Sequence, residues 1–238
     1  MANISEKQFK LLEKLCNASG VSGDEGEVRQ IILEEVKPYA DEIKVDALGN
    51  VLVTKKASAG GDKPLRVMLD AHMDEVGFML VADDNEGIYR FELVGGLDVR
   101  QLVGKAVLVG KGKTPGVIGA RPIHLTTPEE RQRKIPLDQL RIDIGPGGKA
   151  KVGERAVFAT RFKRVGPSIF AKAIDNRVGC AILIDLLKTA PAHIDLCLSF
   201  SVQEEIGLRG AKVAANYFKP DLAIAIDSTP ANDLPHFA

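Results

Sequence analysis

The chain has no surplus of charge of either sign: thirty-two Lys and Arg balance thirty-two Asp and Glu over 238 residues. Without a net field there is nothing to draw a polyanion or an anionic bilayer, so neither nucleic acid nor a membrane surface is an expected partner. No apolar run reaches the roughly 18 residues of a membrane-spanning helix, and the N-terminal MANISEKQFKLLEKL has no apolar signal core. Cysteine is scarce as well. Cys16, Cys180 and Cys197 are odd in number and none lies in a CxxC spacing, which fits buried thiols in a reducing cytoplasm. Internal repeats and low-complexity tracts are also missing. What remains, 45% hydrophobic and 27% charged, is a globular composition able to fill one large core or two smaller ones.

Hydrophobic spacing divides the chain in three. Phe9, Leu11, Leu12, Leu15 and Cys16 recur at helical intervals, and Ser22 with Glu25 three residues on makes a capping box for a second helix through Ile31, Ile32, Leu33 and Val36, stopped by Pro38. EIKVDALGNVLVTK alternates around a Gly-Asn turn as a hairpin or bent strand, KKASAGGDK is an exposed loop, and LRVMLDAHMD is a short buried strand. From Val76 to Gly166 the texture changes. There, 14 of the 23 glycines separate GFMLVA, IYRFELV, KAVLVG, GVIGA, LRIDIG and AVFATRF, the pattern of a small barrel or sandwich. TTPEERQRKIPLDQL, charged and without a strand period, is a solvated loop or short helix. Beyond Gly166, helical spacing over residues 176–188 and 208–218 alternates with the strand runs IDLCLSFSV and LAIAID. The expected fold is α/β: a mostly parallel sheet flanked by helices over residues 1–75 and 167–238, interrupted by a β-barrel domain over residues 76–166.

His72, Asp175, Glu204, Glu205 and Asp227 each fall where an apolar run ends or a helix begins. Ligands bind open α/β sheets in the crevice beyond the carboxyl ends of the strands, so this set supplies the donors that a pair of divalent metals needs. Each residue alone has a plainer reading. A lone His is commonly a satisfied structural residue, an Asp before a helix is commonly its N-cap, and paired Glu commonly decorate a helix surface. Context weighs against all three. Asp74 stands two residues after His72, where it can accept the second imidazole N–H and fix the tautomer of a metal-bound ring. Asp175 can cap and bridge two cations at once. Glu204 and Glu205 close a nearly continuous apolar strand, where desolvating a carboxylate is costly, and they could divide metal binding from proton transfer. His124 in RPIHL suits a structural or interface role, and His193 a turn.

LDAHMDEVGF, AKAIDNRVGC, SVQEEIGLRGA and AIAIDSTPA, with GVIGARPIHL inside the insertion, resemble the cocatalytic aminopeptidases that include the glutamyl, deblocking and tetrahedral (TET) enzymes, in order and spacing along essentially the whole chain. The resemblance implies a peptidase domain with an inserted dimerisation barrel. It further implies His72 and Asp227 on one metal, Glu205 on the other, Asp175 bridging them, and Glu204 as general base with Asp74 beside it in the catalytic set. Two divalent ions are expected, zinc or cobalt first and manganese as an alternative. The substrates would be peptides trimmed from the N-terminus. The particle would be a homo-oligomer of dimers, with a dodecamer among the options. One departure is notable: the family's second metal takes a further His from far downstream, whereas this chain stops at Ala238. His236 follows Asp227 in a Pro-rich stretch ill suited to replace it. The expectation is therefore a C-terminally truncated chain, with a degenerate, non-catalytic assembly subunit as the alternative function.

Overall fold

The computed structural model describes residues 4–61 and 63–231. Helix α1 (Glu6–Asn17) opens on a reciprocal cap, in which the Ser5 hydroxyl accepts from Gln8 N and the Gln8 side chain accepts from Ser5 N. Its apolar stripe, Leu11, Leu12, Leu15 and Cys16, is buried. Helix α2 (Gly26–Val36) buries Val28, Ile31, Ile32 and Val36. Its N-cap is Glu25, whose side chain makes no capping bond, so the capping box expected from Ser22 and Glu25 does not form. Both side chains turn inward instead.

Strands β1 (Glu42–Val45) and β2 (Val51–Lys55) form the expected hairpin. Asp46 closes its turn by accepting three backbone N–H bonds, from Leu48, Gly49 and Asn50, and Gly49 supplies the positive φ that the turn requires. Strands β3 (Leu65–His72), β12 (Ile194–Ser201) and β13 (Leu222–Ala225) complete a sheet in the order β1-β2-β12-β3-β13. The sheet is mixed rather than mostly parallel. β12 pairs in parallel with β3, and β3 with β13, but the hairpin enters antiparallel against β12. The five-residue turn between β1 and β2 leaves no room for the crossover that parallel pairing demands, so these two strands are antiparallel to each other.

On one face, α1, α2 and α4 (Ile174–Lys188) cover the apolar residues of β2, β3 and β12. Leu198, Phe200 and Val202 are fully buried there, each worth about 1.5–3 kcal/mol of transfer free energy. The other face carries α5 (Arg209–Phe218), seated through Ala214 and Phe218 on Leu52, Met68 and Cys197. His193 lies in the turn before β12, as its sequence context suggested. All three cysteines are free and buried.

Between β3 and α4 the chain builds a closed barrel from β4 (Gly77–Asp83), β5 (Ile88–Val94), β6 (Ala106–Val109), β7 (Thr114–Gly119), β8 (Arg141–Asp143) and β9 (Arg155–Phe158), in the order β4-β5-β8-β7-β6-β9. These strands match the six runs separated by glycines. The barrel has its own core around Phe78, which meets Phe91 and Phe158 edge-on with both ring centroids at 5.2 Å. Its charged segment is a loop holding one short helix, α3 (Pro128–Arg131), opened by a Thr127–Glu130 capping box. A two-stranded ribbon, β10 (Lys163–Val165) with β11 (Ser168–Phe170), leads back to the sheet; no sequence signal had marked it. No described helix is long and apolar enough to cross a membrane.

Candidate active site

The parallel strands β12, β3 and β13 deliver their carboxyl ends to one edge of the sheet. His72 is the last residue of β3 and is 2% exposed. Its Nε2 lies 3.1 Å from an Asp175 oxygen and 3.8 Å from oxygens of both Glu204 and Asp227. Its Nδ1 faces Asp74 Oδ1 at 3.3 Å, a long and poorly aligned contact whose attraction is chiefly electrostatic. The expected residues thus converge.

Asp175 is held in place by what surrounds it. It precedes the regular turns of α4 with a non-helical ψ of 109°, and the capping role falls to Asn176, whose side-chain oxygen accepts from Gly179 N. Asn176 also donates to the carbonyl of Ile226, the residue before Asp227, at 2.8 Å and so ties the Asp175 and Asp227 segments together. On the other flank, the fully buried Arg177 and the nearly buried Lys172 both reach Glu75. Lys172 Nζ lies 2.8 Å from Glu75 Oε1 and also donates to Ala18 O, while Arg177 donates to Leu15 O. Burial pulls the Lys172 ammonium below its ordinary value, against the attraction of Glu75. These buried partners escaped sequence reasoning because about a hundred residues separate Glu75 from Lys172 and Arg177.

Glu204 and Glu205 follow β12 through Gln203, which adopts a positive φ of 56°. Their backbone N–H groups both donate to the Asp74 carboxylate, at 3.0 and 3.2 Å. Asp74, fully buried, therefore supports the imidazole and both glutamates together. Burial alone would raise its pKa, but the imidazole of His72 and hydrogen bonds from Ser22 and Glu204 N hold it below the ordinary carboxylate value.

The remaining groups carry more negative charge than the site can easily hold. Burial and the neighbouring carboxylates push Glu205 up to about 7 against the pull of His72, and Glu204 is raised for the same reasons. For His72, burial opposes protonation, but Asp74, Glu204 and Asp227 outweigh it and raise the imidazole to about 9. An imidazole ringed by carboxylates offers a divalent cation one nitrogen and several oxygen donors, and this donor set fits such an ion. Two groups have ligand atoms within 4.8 Å of one another: His72 with Asp175 and Asp227, and His72 with Glu204 and Glu205. Asp175 and Glu205 fall in different groups, and His72 is the one imidazole in either group among the described residues. His124 lies on the barrel, in neither group, and His236 lies outside the described residues.

The sequence model of the family described as M42 glutamyl aminopeptidase matches residues 49–238. The chain belongs to this family. The chain is 34% identical to the glutamyl aminopeptidase of Lactococcus lactis over 94% of its own length and 67% of the relative's, and 34% identical to the lysyl aminopeptidase of Pyrococcus furiosus over 93% and 66%. In structure it is similar to the TET1 peptidase of Pyrococcus horikoshii, described as able to assemble into a tetrahedron or a large octahedral shell, with TM-score 0.80, 37% identity and coverage of 92% and 68%. This M42 chain spans about two thirds of the length of the curated relatives it matches.

Proposed function

We propose that this M42 chain carries the active site of a metal-dependent aminopeptidase that releases N-terminal residues from peptides. The observation that carries the reading is the convergence of Asp175 and Asp227 on the Nε2 side of a buried imidazole whose other nitrogen faces Asp74. His72, Asp175 and Asp227 would hold one divalent cation, and Glu205 would hold a second that shares Asp175. Zinc or cobalt suits one imidazole among carboxylates, with manganese as an alternative. Such ions supply Lewis acidity, lowering the pKa of water and polarising a carbonyl. The chain does the rest. Glu204 accepts the proton of the attacking water and returns it to the leaving amine, and its raised pKa suits both transfers. Asp74 keeps the imidazole in the tautomer that presents Nε2 to the metal. Asp175 and Asp227 are both substantially exposed.

Residues 1–75 and 167–238 would form the catalytic domain, and residues 76–166 a dimerisation barrel. The similar TET1 peptidase, described as able to assemble into a tetrahedron or a large octahedral shell, supports a homo-oligomer, and free buried cysteines support a cytoplasmic site of action. A second reading, a non-catalytic assembly subunit, draws on the single imidazole in the two ligand groups. Release of amino acids from short peptides with and without added Zn²⁺ or Co²⁺ separates the two. Metal-dependent release supports the peptidase, and its absence despite bound metal supports the subunit.

A further inference from the structure

The Ser22 and Glu25 side chains, spaced as a helix cap, are both spent on the site. Ser22 is 1% exposed, and its hydroxyl donates to Asp74 Oδ2 at 2.5 Å. Glu25 is 3% exposed and accepts from Gly23 N and, across the sheet edge, from Gln203 N, the residue before Glu204. The backbone holds this loop against the segment that follows His72: Glu75 N donates to Gly20 O at 2.9 Å, and Val21 forms an isolated parallel bridge to Glu75. Asp74 in turn has one oxygen against His72 Nδ1 and Glu204 N, and the other against Ser22 and Glu205 N. Each oxygen therefore has one backbone N–H and one side-chain partner, His72 on Oδ1 and Ser22 on Oδ2, so the two side chains and the two N–H groups set the carboxylate plane together. Of its four partners, Ser22 is the only side-chain hydroxyl, and it donates from a loop outside the metal-ligand segments.

We propose that Ser22 is a positioning residue of this site, fixing the rotation of the Asp74 carboxylate and through it both the imidazole of His72 and the backbone of Glu204 and Glu205. The inference rests on the reading of the site as a divalent-metal centre. A hydroxyl that merely satisfied a buried acceptor would contribute stability alone. One that aims the carboxylate must also change how well His72 meets a cation, because the groups behind a metal-bound imidazole set its orientation and basicity.

The test is titration of the full 238-residue chain, stripped of metal, with Co²⁺, alongside thermal unfolding of the same metal-free samples. Ser22→Ala is expected to weaken Co²⁺ binding about tenfold, beyond any change in unfolding temperature, and Ser22→Thr, which restores the hydroxyl, to recover most of that loss. If Ser22→Ala does not fold, the nearly isosteric Ser22→Cys, a weaker donor, carries the same comparison: weaker binding than the wild type supports the assignment and equal binding overturns it. Co²⁺ affinity in Ser22→Ala equal to the wild type overturns the role of Ser22 while leaving the metal site standing. A wild-type chain that takes up no Co²⁺ overturns the metal-site reading and this inference with it.

Discussion

Behind the imidazole of His72 the chain is buried and cross-linked, whereas in front of it the chain is open. The rear holds Asp74, Ser22, Glu75, Lys172 and Arg177, none more than 8% exposed and each tied to at least one of the others. The front consists of Asp175 and Asp227, whose side chains are 58% and 47% exposed, beside strand β13, exposed at all four positions. The rear therefore fixes geometry before any ligand arrives. The same contrast locates the chemistry. Glu204 sits between the two zones, half-buried, with its backbone anchored in the rear and its carboxylate at the front.

Glu204→Gln is the substitution with the largest expected effect, because it removes the proton acceptor while leaving the rear intact. Turnover of short peptides should fall about a thousandfold with metal content near that of the wild type, and a fully active variant would remove Glu204 from the role. Next in size is Lys172→Met. It leaves the Glu75 carboxylate buried with Arg177 as its remaining charged partner beside the Gly20 N–H, and should cost about 3 kcal/mol in urea denaturation. A loss below ~1 kcal/mol would show that the rear is less tightly built than its distances imply. A third test concerns pH. His72 has a folded pKa of about 9 against an ordinary 6.5, so its contribution is complete below 6.5 and is lost as pH rises through about 9. The metal-free chain should accordingly melt at falling temperatures across that window, and a flat profile would contradict the charge arrangement around the ring. The smallest effect belongs to the front edge. Ile224→Ala, at a side chain 45% exposed on β13, should change stability by about 0.5 kcal/mol or less, and a cost matching that of Lys172→Met would erase the difference between the two zones.

Much of this site is legible in the sequence, and for a physical reason. Strand ends announce themselves as apolar runs that stop at a charge, so His72, Glu204 and Asp227 could be placed on one edge from the sequence. The barrel was legible because glycines punctuate its six short strands. Other signals were ambiguous locally. Ser22 and Glu25 have the spacing of a helix cap, and only the folded chain shows that Asp74 and Gln203 N claim them instead. Asp175 taken alone read first as an N-cap, with ligation compatible, and the folded chain gives the cap to Asn176. The pairing of Glu75 with Lys172 and Arg177 and the antiparallel entry of the hairpin into the sheet join segments that nothing in sequence periodicity connects.

The central claim is that Asp175 and its neighbours share a pair of divalent ions, and metal stoichiometry by elemental analysis of the wild type and Asp175→Asn tests it most directly. The account predicts about two equivalents per wild-type chain and loss from both positions in the variant. An unchanged stoichiometry in Asp175→Asn, or a wild-type chain that holds no metal after reconstitution with Zn²⁺ or Co²⁺, would contradict it.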